Sequence, residues 1–205
     1  MAIVGTSADE QITGTSGNDT VFATGGNDTV IGLGGGDTIG GGADSDHLQG
    51  NAGNDIINGN VGSDVLLGGA GKDTLAGGAD NDVINGGAGN DAIVGGGGRD
   101  ILSGGDGADT FIFNSAADSQ AGAGNRDVIL DFQHGVDKIG ISALKVHAAD
   151  IDLSHYYAGT NATNAYAQLL RISTHHDGVY DFEVQLNTRH SGIAITLADL
   201  LGILP

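Results

Sequence analysis

The chain has 205 residues, enough for one domain or two small ones. It contains 39 glycines but a single proline, and 26 acidic residues against 7 basic ones give it a formal charge of −19. This excess of acid argues against nucleic acids and anionic membranes as partners, because both need clusters of lysine and arginine. There is no cysteine, so disulfides and thiolate metal sites are excluded.

The N-terminal stretch MAIVGTSADE lacks the basic region and the apolar run of a cleavable signal peptide. No apolar run in the chain approaches the ~18 residues that a membrane-spanning helix needs. We therefore expect no membrane span and no cleavable N-terminal signal, so that any export uses another route.

A nine-residue repeat runs without insertion from Gly14 to Ile112, in eleven copies. The first position is glycine except at Ala23, and the fourth is glycine except at Asp44 and Asp80. The eighth position is always large and apolar. The sixth position is always aspartate: Asp19, Asp28, Asp37, Asp46, Asp55, Asp64, Asp73, Asp82, Asp91, Asp100 and Asp109. Such a fixed phase argues against a disordered low-complexity segment and indicates a repeat architecture.

Three regions follow from this pattern. Residues 1–13 are predicted to be a degenerate N-terminal cap, because Glu10 and Ile12 fit the repeat frame loosely. Residues 14–112 form the repeat block, and residues 113–205 a β-rich C-terminal cap. Within that cap, 127–142 is typical of strand, turn and strand, and 165–186 of a hairpin.

The repeat predicts an all-β fold, a right-handed parallel β-roll. Six glycine-rich residues of each nonapeptide are expected to form a turn and the other three a short strand, with the eighth side chain pointing inward. Two nonapeptides then make one coil. Odd and even repeats build separate columns of turns, and the array is needed to bury any core.

The aspartates indicate metal binding. Equivalent carboxylates in neighbouring coils would lie about 4.8 Å apart and repel each other unless a cation lies between them. Calcium prefers six to eight oxygen ligands, which carboxylates and turn carbonyls supply, so up to nine inter-turn calcium sites are expected. In this scheme Asp64 serves two sites, whereas Asp109 ends its column. The expected carbonyls belong to the turns around Gly17, Gly35, Gly53, Gly62, Gly71, Gly89, Gly98 and Gly107, and the additional candidate side chains are Asp127, Asp131 and Asp137.

The pattern GGxGxDxUx resembles the RTX family of calcium-binding repeats across residues 14–112. The resemblance implies a calcium-binding module of a secreted, extracellular protein from a Gram-negative bacterium. It also implies export by the type I machinery in an unfolded form, followed by folding on calcium binding outside the cell.

The segment DVILDF at 127–132, followed by GVDKI at 135–139, resembles the region after the repeats in serralysin-type proteases and in the R modules of alginate (mannuronan) C5-epimerases. DFEVQL at 181–186 resembles the R modules further, whereas Gly140 stands where many relatives carry aspartate. The resemblance implies a C-terminal secretion signal and leaves open an alternative function, an accessory module that binds an acidic polysaccharide such as alginate. The bases available for that function are Lys72, Arg99, Arg126, Lys138, Lys145, Arg171 and Arg189.

We expect no catalysis in this chain, although a parent protein could be an enzyme. Neither the HExxH motif of zinc proteases nor the GxSxG motif of lipases occurs. The pair His175 and His176 is interpreted as part of an exposed turn. A continuous threonine ladder, typical of ice binding, is interrupted by Ile56 and Ala92.

Overall fold

The computed structural model of the protein describes residues 1–120, 124–144, 151–152, 156–158, 166–172, 180, 182–188, 196 and 199–201. Within these residues the fold is all-β, with a 3-10 turn at Ser142–Leu144. In this described part of the chain, no helix is long and apolar enough to cross a membrane. His175, His176, Lys145 and Arg189 lie outside it.

The repeat region consists of short strands that alternate between two sheets. Their bounds are β1 Ala2–Val4, β2 Gln11–Thr13, β3 Thr20–Gly25, β4 Thr29–Gly34, β5 Thr38–Ala43, β6 His47–Ala52, β7 Ile56–Val61, β8 Val65–Ala70, β9 Thr74–Ala79, β10 Val83–Ala88, β11 Ala92–Gly97, β12 Ile101–Asp106 and β13 Thr110–Ile112. Odd strands pair with odd and even with even, in parallel, and the register is eighteen residues, as in Thr38↔Ile56. This topology confirms the parallel β-roll with two nonapeptides in each coil.

The strands are longer than the sequence pattern predicted. From β3 to β12 each strand has six residues, and three residues are left for each turn. The prediction of a six-residue turn was wrong because the glycine-rich first three positions of a repeat continue the strand. Gly42 pairs with Thr24 in the ladder although both have positive φ, of 122° and 87° respectively.

Downstream strands continue both sheets. They are β14 Asp127–Phe132, β15 Lys138–Gly140, β16 Ile151–Asp152, β17 Tyr156–Ala158, β18 Tyr166–Ile172, β19 Phe182–Thr188 and β20 Leu200–Leu201. The strands predicted within 127–142 are present, but they belong to different sheets: β14 pairs with β12, and β15 with β13. The hairpin is confirmed as the antiparallel pair β18 and β19, and β19 also pairs in parallel with β14.

The core is a narrow column of eighth-position side chains between the two sheets. Each of these residues from Val21 to Phe111 is at most 1% exposed, as the inward orientation predicted. Aromatic residues widen the core at the C-terminal end, where the Phe111 and Phe132 rings lie 6.2 Å apart and the Phe113 and Phe182 rings 5.1 Å apart. The roll therefore buries little apolar volume between its two sheets.

Candidate metal-binding columns

The turns between strands stack along the two edges of the roll. The sixth-position aspartates form two sets, one along each edge, which we call column A and column B. Column A contains Asp19, Asp37, Asp55, Asp73, Asp91 and Asp109, and column B contains Asp28, Asp46, Asp64, Asp82 and Asp100. The separation of the aspartates into two columns with an eighteen-residue step agrees with the sequence pattern.

One oxygen of each carboxylate is held by the preceding turn of its column. The main-chain N–H of Asp46 donates to Oδ1 of Asp64 at 2.7 Å. The same bond recurs at 2.7–2.9 Å from Asp19 to Asp109 along column A and from Asp28 to Asp100 along column B. Each carboxylate is thus fixed in the space between two successive turns.

Both columns continue past the repeat block. The N–H of Asp100 donates to Oδ1 of Asp127 at 2.8 Å, and that of Asp109 donates to Oδ1 of Asp137 at 3.0 Å. Asp109 therefore does not end its column, contrary to the expectation from the nine-residue phase. Asp131 lies outside the columns, because its carboxylate accepts hydrogen bonds from the Ser103 hydroxyl and from nearby main-chain N–H groups.

The second carboxylate oxygen, Oδ2, is buried and has no hydrogen-bond partner in most of these turns. The residues in question are at most 3% exposed. They are Asp28, Asp37, Asp46, Asp55, Asp64, Asp73, Asp82, Asp91, Asp100 and Asp127. A buried carboxylate oxygen without a donor carries a large desolvation cost, so this recurring atom needs a proton or a cation.

The first-position glycines make room for that oxygen. A Cβ at Gly59 would collide with Oδ2 of Asp64 and lie 2.6 Å from the carbonyl oxygen of Gly77. The same two kinds of oxygen surround Gly32, Gly41, Gly50, Gly68, Gly77 and Gly86. The unsatisfied Oδ2 and a main-chain carbonyl oxygen thus approach the same small space, and both are acceptors.

The fourth-position glycines serve the stacking of the turns. A Cβ at Gly71 would overlap the carbonyl oxygen of Gly53, and Gly89 and Gly107 meet the preceding turn in the same way. Their φ values of 138° to 139° belong to the left-handed region that favours glycine. Gly35, Gly53, Gly62 and Gly98 also have positive φ, whereas Gly17 lies in open space.

Burial and mutual repulsion raise the pKa values of most carboxyl groups in the columns, whereas hydrogen bonds from the N-terminal ammonium group and from Thr15 lower the pKa of Asp19. Burial, followed by the fields of Asp100, Asp64 and Asp80, raises the pKa of Asp82 to about 8. Burial likewise raises the pKa of Asp73 to about 6. The pKa values of Asp46 and Asp100 also rise to about 6, and that of Asp127 to about 8. The columns thus disfavour negative charge unless a cation compensates it.

Side chains alone do not form a metal cluster here. Among the described residues, no three acidic or histidine side chains converge closely enough to hold an ion by themselves. A cation in these turns must therefore take main-chain oxygens as well, which suits calcium better than a transition metal.

Sequence reasoning missed a set of asparagines at the fifth position. The Asn54 side chain accepts a hydrogen bond of 2.8 Å from the N–H of Lys72 in the next turn of column A. Asn18, Asn27, Asn81 and Asn90 make the equivalent bond. The recurrence of asparagine at one position of the repeat was the available signal, and these side chains help to keep successive turns in register.

The fold and its columns define a class of protein, a parallel β-roll whose stacked acidic turns are suited to bind cations between coils. The family model of the RTX calcium-binding nonapeptide repeat (4 copies) matches residues 4–39, 40–75, 67–102, 76–111 and 91–119. Because these matches cover more than half of the chain, the protein belongs to that family of calcium-binding repeats. No curated protein matches the chain.

Three solved structures are similar to this chain. The AlgE6R2 subunit of the Azotobacter vinelandii mannuronan C5-epimerase is 28% identical, with a TM-score of 0.46 over 80% of this chain and 93% of that one. The AlgE6R3 subunit of the same epimerase is 25% identical, with a TM-score of 0.35 over 97% and 80%. The extracellular lipase LipA from Serratia marcescens is 18% identical, with a TM-score of 0.42 over 98% and 40%.

Proposed function

We propose that this chain is a calcium-dependent folding module of an extracellular protein. The observation that carries the proposal is the buried, unsatisfied Oδ2 atom that recurs in both columns beside a main-chain carbonyl oxygen. Two acceptors that face one buried space destabilise the roll when nothing lies between them. A bound divalent cation turns the same arrangement into a source of folding free energy.

The proposed ligands are the sixth-position aspartates of columns A and B, together with Asp127 at the C-terminal end of column B. Their ligand atom is Oδ2 except at Asp19, where Oδ2 accepts hydrogen bonds from the Thr15 N–H and hydroxyl groups. Asp137 closes column A, where its own Oδ2 accepts a 2.7 Å hydrogen bond from the N–H of Gln133. Carbonyl oxygens of the glycine-rich turns supply the remaining ligands. When bound, calcium neutralises the repelling carboxylates, and the chain's own contribution is to hold Oδ1 of each by a hydrogen bond.

Coupling between binding and folding follows from the thin core. The eighth-position residues bury a single side chain in each half-coil, so apolar burial is modest for a chain of formal charge −19. We propose that the chain is unfolded where calcium is scarce and folds where calcium is abundant. This behaviour suits export in an unfolded form by the type I route, followed by folding outside the cell.

A calcium titration tests the folding proposal. Far-ultraviolet circular dichroism of the full chain should change from a disordered to a β spectrum, cooperatively, in the sub-millimolar to millimolar range of extracellular calcium sites. Magnesium at the same concentration serves as the matched control and should give little β signal. A chain that stays fully folded in excess chelator would rule the proposal out.

The export route needs a separate test. The chain would be expressed in a Gram-negative host with and without type I transporter components, and the culture medium assayed for the intact protein. Medium accumulation that depends on the transporter supports the proposal, and equal accumulation without it contradicts the route while leaving the calcium function intact.

Three of the bases that the polysaccharide alternative would use are paired with carboxylates within the fold. Arg126 and Arg171 both contact the carboxylate of Glu183, at 3.2 Å and 2.7 Å. Lys138 lies 3.8 Å from Asp199. These bases are thus engaged by carboxylates within the fold, and we do not extend the proposal to an acidic polysaccharide.

A further inference from the structure

Two Asn-Gly dipeptides lie in the repeat block. They are Asn58-Gly59 in β7 and Asn85-Gly86 in β10, and the dipeptide occurs nowhere else in the sequence. In both, asparagine is the ninth residue of one repeat and glycine the first residue of the next. Asparagine followed by glycine is prone to deamidation, because glycine has no side chain to hinder the attack of its main-chain nitrogen on the asparagine side chain. The two dipeptides are therefore candidate sites of covalent modification.

The reaction at Asn58 needs water as its only co-reactant. The Gly59 nitrogen loses its proton to solvent hydroxide and attacks Cγ of Asn58. The new N–Cγ bond forms as the Cγ–Nδ2 bond breaks, and Nδ2 takes a proton from water and leaves as ammonia. Water then opens the cyclic imide at one of two bonds. Breaking the N–Cγ bond gives aspartate, whereas breaking the bond to the main-chain carbonyl carbon gives isoaspartate, in which the main chain runs through Cβ and Cγ.

The folded roll opposes this reaction at both dipeptides. The two asparagines are exposed, but Gly59 and Gly86 are buried inside six-residue strands. Asn58 pairs with Gly40 of β5 and with Ala76 of β9, so β7 has a strand on each side. Ring closure requires the glycine nitrogen to turn out of the extended strand towards Cγ, and the pairing with both neighbours prevents this rotation.

Isoaspartate is incompatible with the crowded turn oxygens beside these glycines. A Cβ at Gly86 would collide with Oδ2 of Asp91 and lie 2.7 Å from the carbonyl oxygen of Gly104, so the glycine has no room to move. The additional main-chain atom before Gly86 displaces this glycine and disturbs the alternation of side chains that follow it in β10. Asp91, in the turn after β10, then loses its alignment with column A. The same argument applies to Gly59 and Asp64 in column B.

We propose that Asn58 and Asn85 are deamidation sites that react in the unfolded, calcium-free chain and are protected in the folded roll. Their isoaspartate products prevent the roll from forming when calcium is added. A chain that stays unfolded therefore loses its ability to fold with time, through a chemical step that calcium does not reverse. Protection by calcium rests on the proposed calcium function, whereas protection by the paired strands does not.

Peptide mapping by mass spectrometry tests the protection, after incubation of the full chain at mildly alkaline pH. Parallel samples contain calcium, excess chelator, or calcium with guanidinium chloride, and circular dichroism records which of them are folded. We expect aspartate and isoaspartate at Asn58 and Asn85 in the two unfolded samples and intact asparagine in the folded one. Asn54 and Asn90 are internal controls that should react far more slowly, because the side chain of the following aspartate hinders the attack.

The outcomes separate this inference from the proposed function. Equal conversion at Asn58 and Asn85 in folded and unfolded samples, or no conversion in any sample, overturns the inference. A β spectrum in excess chelator, with conversion in guanidinium chloride alone, overturns the proposed calcium function and supports protection by the paired strands.

A refolding assay tests the consequence of the modification. The double variant Asn58→Gln, Asn85→Gln is the matched control, because Gln49-Gly50 already places glutamine at the same position in β6. After incubation in chelator, added calcium should restore less β signal in wild type as isoaspartate accumulates, and the full signal in the variant. Freshly prepared Asn58→Asp has the charge of the product without the additional main-chain atom, and it should fold in calcium. Equal loss of signal in wild type and the double variant, or a fresh Asn58→Asp chain that does not fold, would overturn the role of isoaspartate.

Discussion

Asp64 donates its main-chain N–H to Oδ1 of Asp82, eighteen residues later, at 2.8 Å, and Oδ2 of the same Asp82 carboxylate has no hydrogen-bond partner. One carboxylate therefore has two roles: its first oxygen ties successive coils together, and its second is available for a cation. The repetition of this arrangement along both columns links the stability of the roll to calcium.

The position of an aspartate in its column should determine how much its removal raises the calcium concentration at the midpoint of folding. Asp109→Ala is expected to raise the calcium midpoint of folding about as much as Asp64→Ala, because each residue has a neighbouring turn on both sides. Each change also leaves a buried N–H unsatisfied, a cost of about 1–3 kcal/mol. Asp137→Ala leaves the N–H groups of both Asp109 and Gln133 without an acceptor, so it should raise the midpoint as well, although Asp137 ends column A. Calcium titrations followed by circular dichroism measure the three midpoints, and a mild Asp109→Ala would contradict the continuation of the column.

Acid should stabilise the calcium-free roll. The folded-state pKa values of Asp46, Asp73 and Asp82 lie at about 6 to 8, above the ordinary value of 3.8, because burial disfavours their charged form. The folded state therefore binds more protons than the unfolded chain. The resulting stabilisation is complete below about pH 4 and is lost as the pH rises through about 6 to 8.

This pH dependence is measured on dialysed, calcium-free protein as the β signal and the free energy of unfolding between acid and neutral pH. Asp82→Asn removes one titrating group and should reduce the dependence. With calcium the sign reverses, because the ion needs the carboxylate form, so the calcium midpoint should rise as the pH falls. A calcium-free chain that gains no structure in acid would refute the prediction.

The first-position glycine should be sensitive to a single methyl group. Gly59→Ala places a Cβ against Oδ2 of Asp64 and the carbonyl of Gly77, so we expect a loss of about 1–3 kcal/mol and a higher calcium midpoint. Gly97→Ala is the matched control, because its Cβ would have open space and its φ is not left-handed. Thermal unfolding in saturating calcium compares the two, and equal melting temperatures would contradict the crowding seen at Gly59.

Strain at the second position offers a stabilising change. Leu33 is 45% exposed and has a φ of 80°, so Leu33→Gly removes a left-handed conformation that costs about 1–2 kcal/mol. Glycine also increases the conformational entropy of the unfolded chain, which offsets about 0.5–1 kcal/mol of this gain. We expect a net stabilisation of up to about 1 kcal/mol by urea unfolding in calcium. Val61 is also exposed, at 55%, but is not left-handed, so Val61→Gly should be destabilising instead. The same sign for both variants would argue against strain at Leu33.

The sequence by itself determined the period, the fold class, the two columns and the identity of their aspartates, because each of these depends on contacts between residues a fixed number of positions apart. It also predicted the inward eighth-position residues, since a two-residue alternation in a strand fixes which side chains face the core.

Only the tertiary structure shows which aspartates beyond the repeat block join the columns, because the nine-residue period ends at Ile112. Asp127 and Asp137 join the columns after spacings of 27 and 28 residues, which break the eighteen-residue step, so their membership depends on how β14 and β15 pair with the roll. The same is true of Asp131, which shares their segment but meets Ser103 instead. The different roles of Oδ1, which accepts a hydrogen bond, and of Oδ2, which does not, likewise depend on the distance between stacked turns. That distance is a property of the assembled sheets and not of any local sequence pattern.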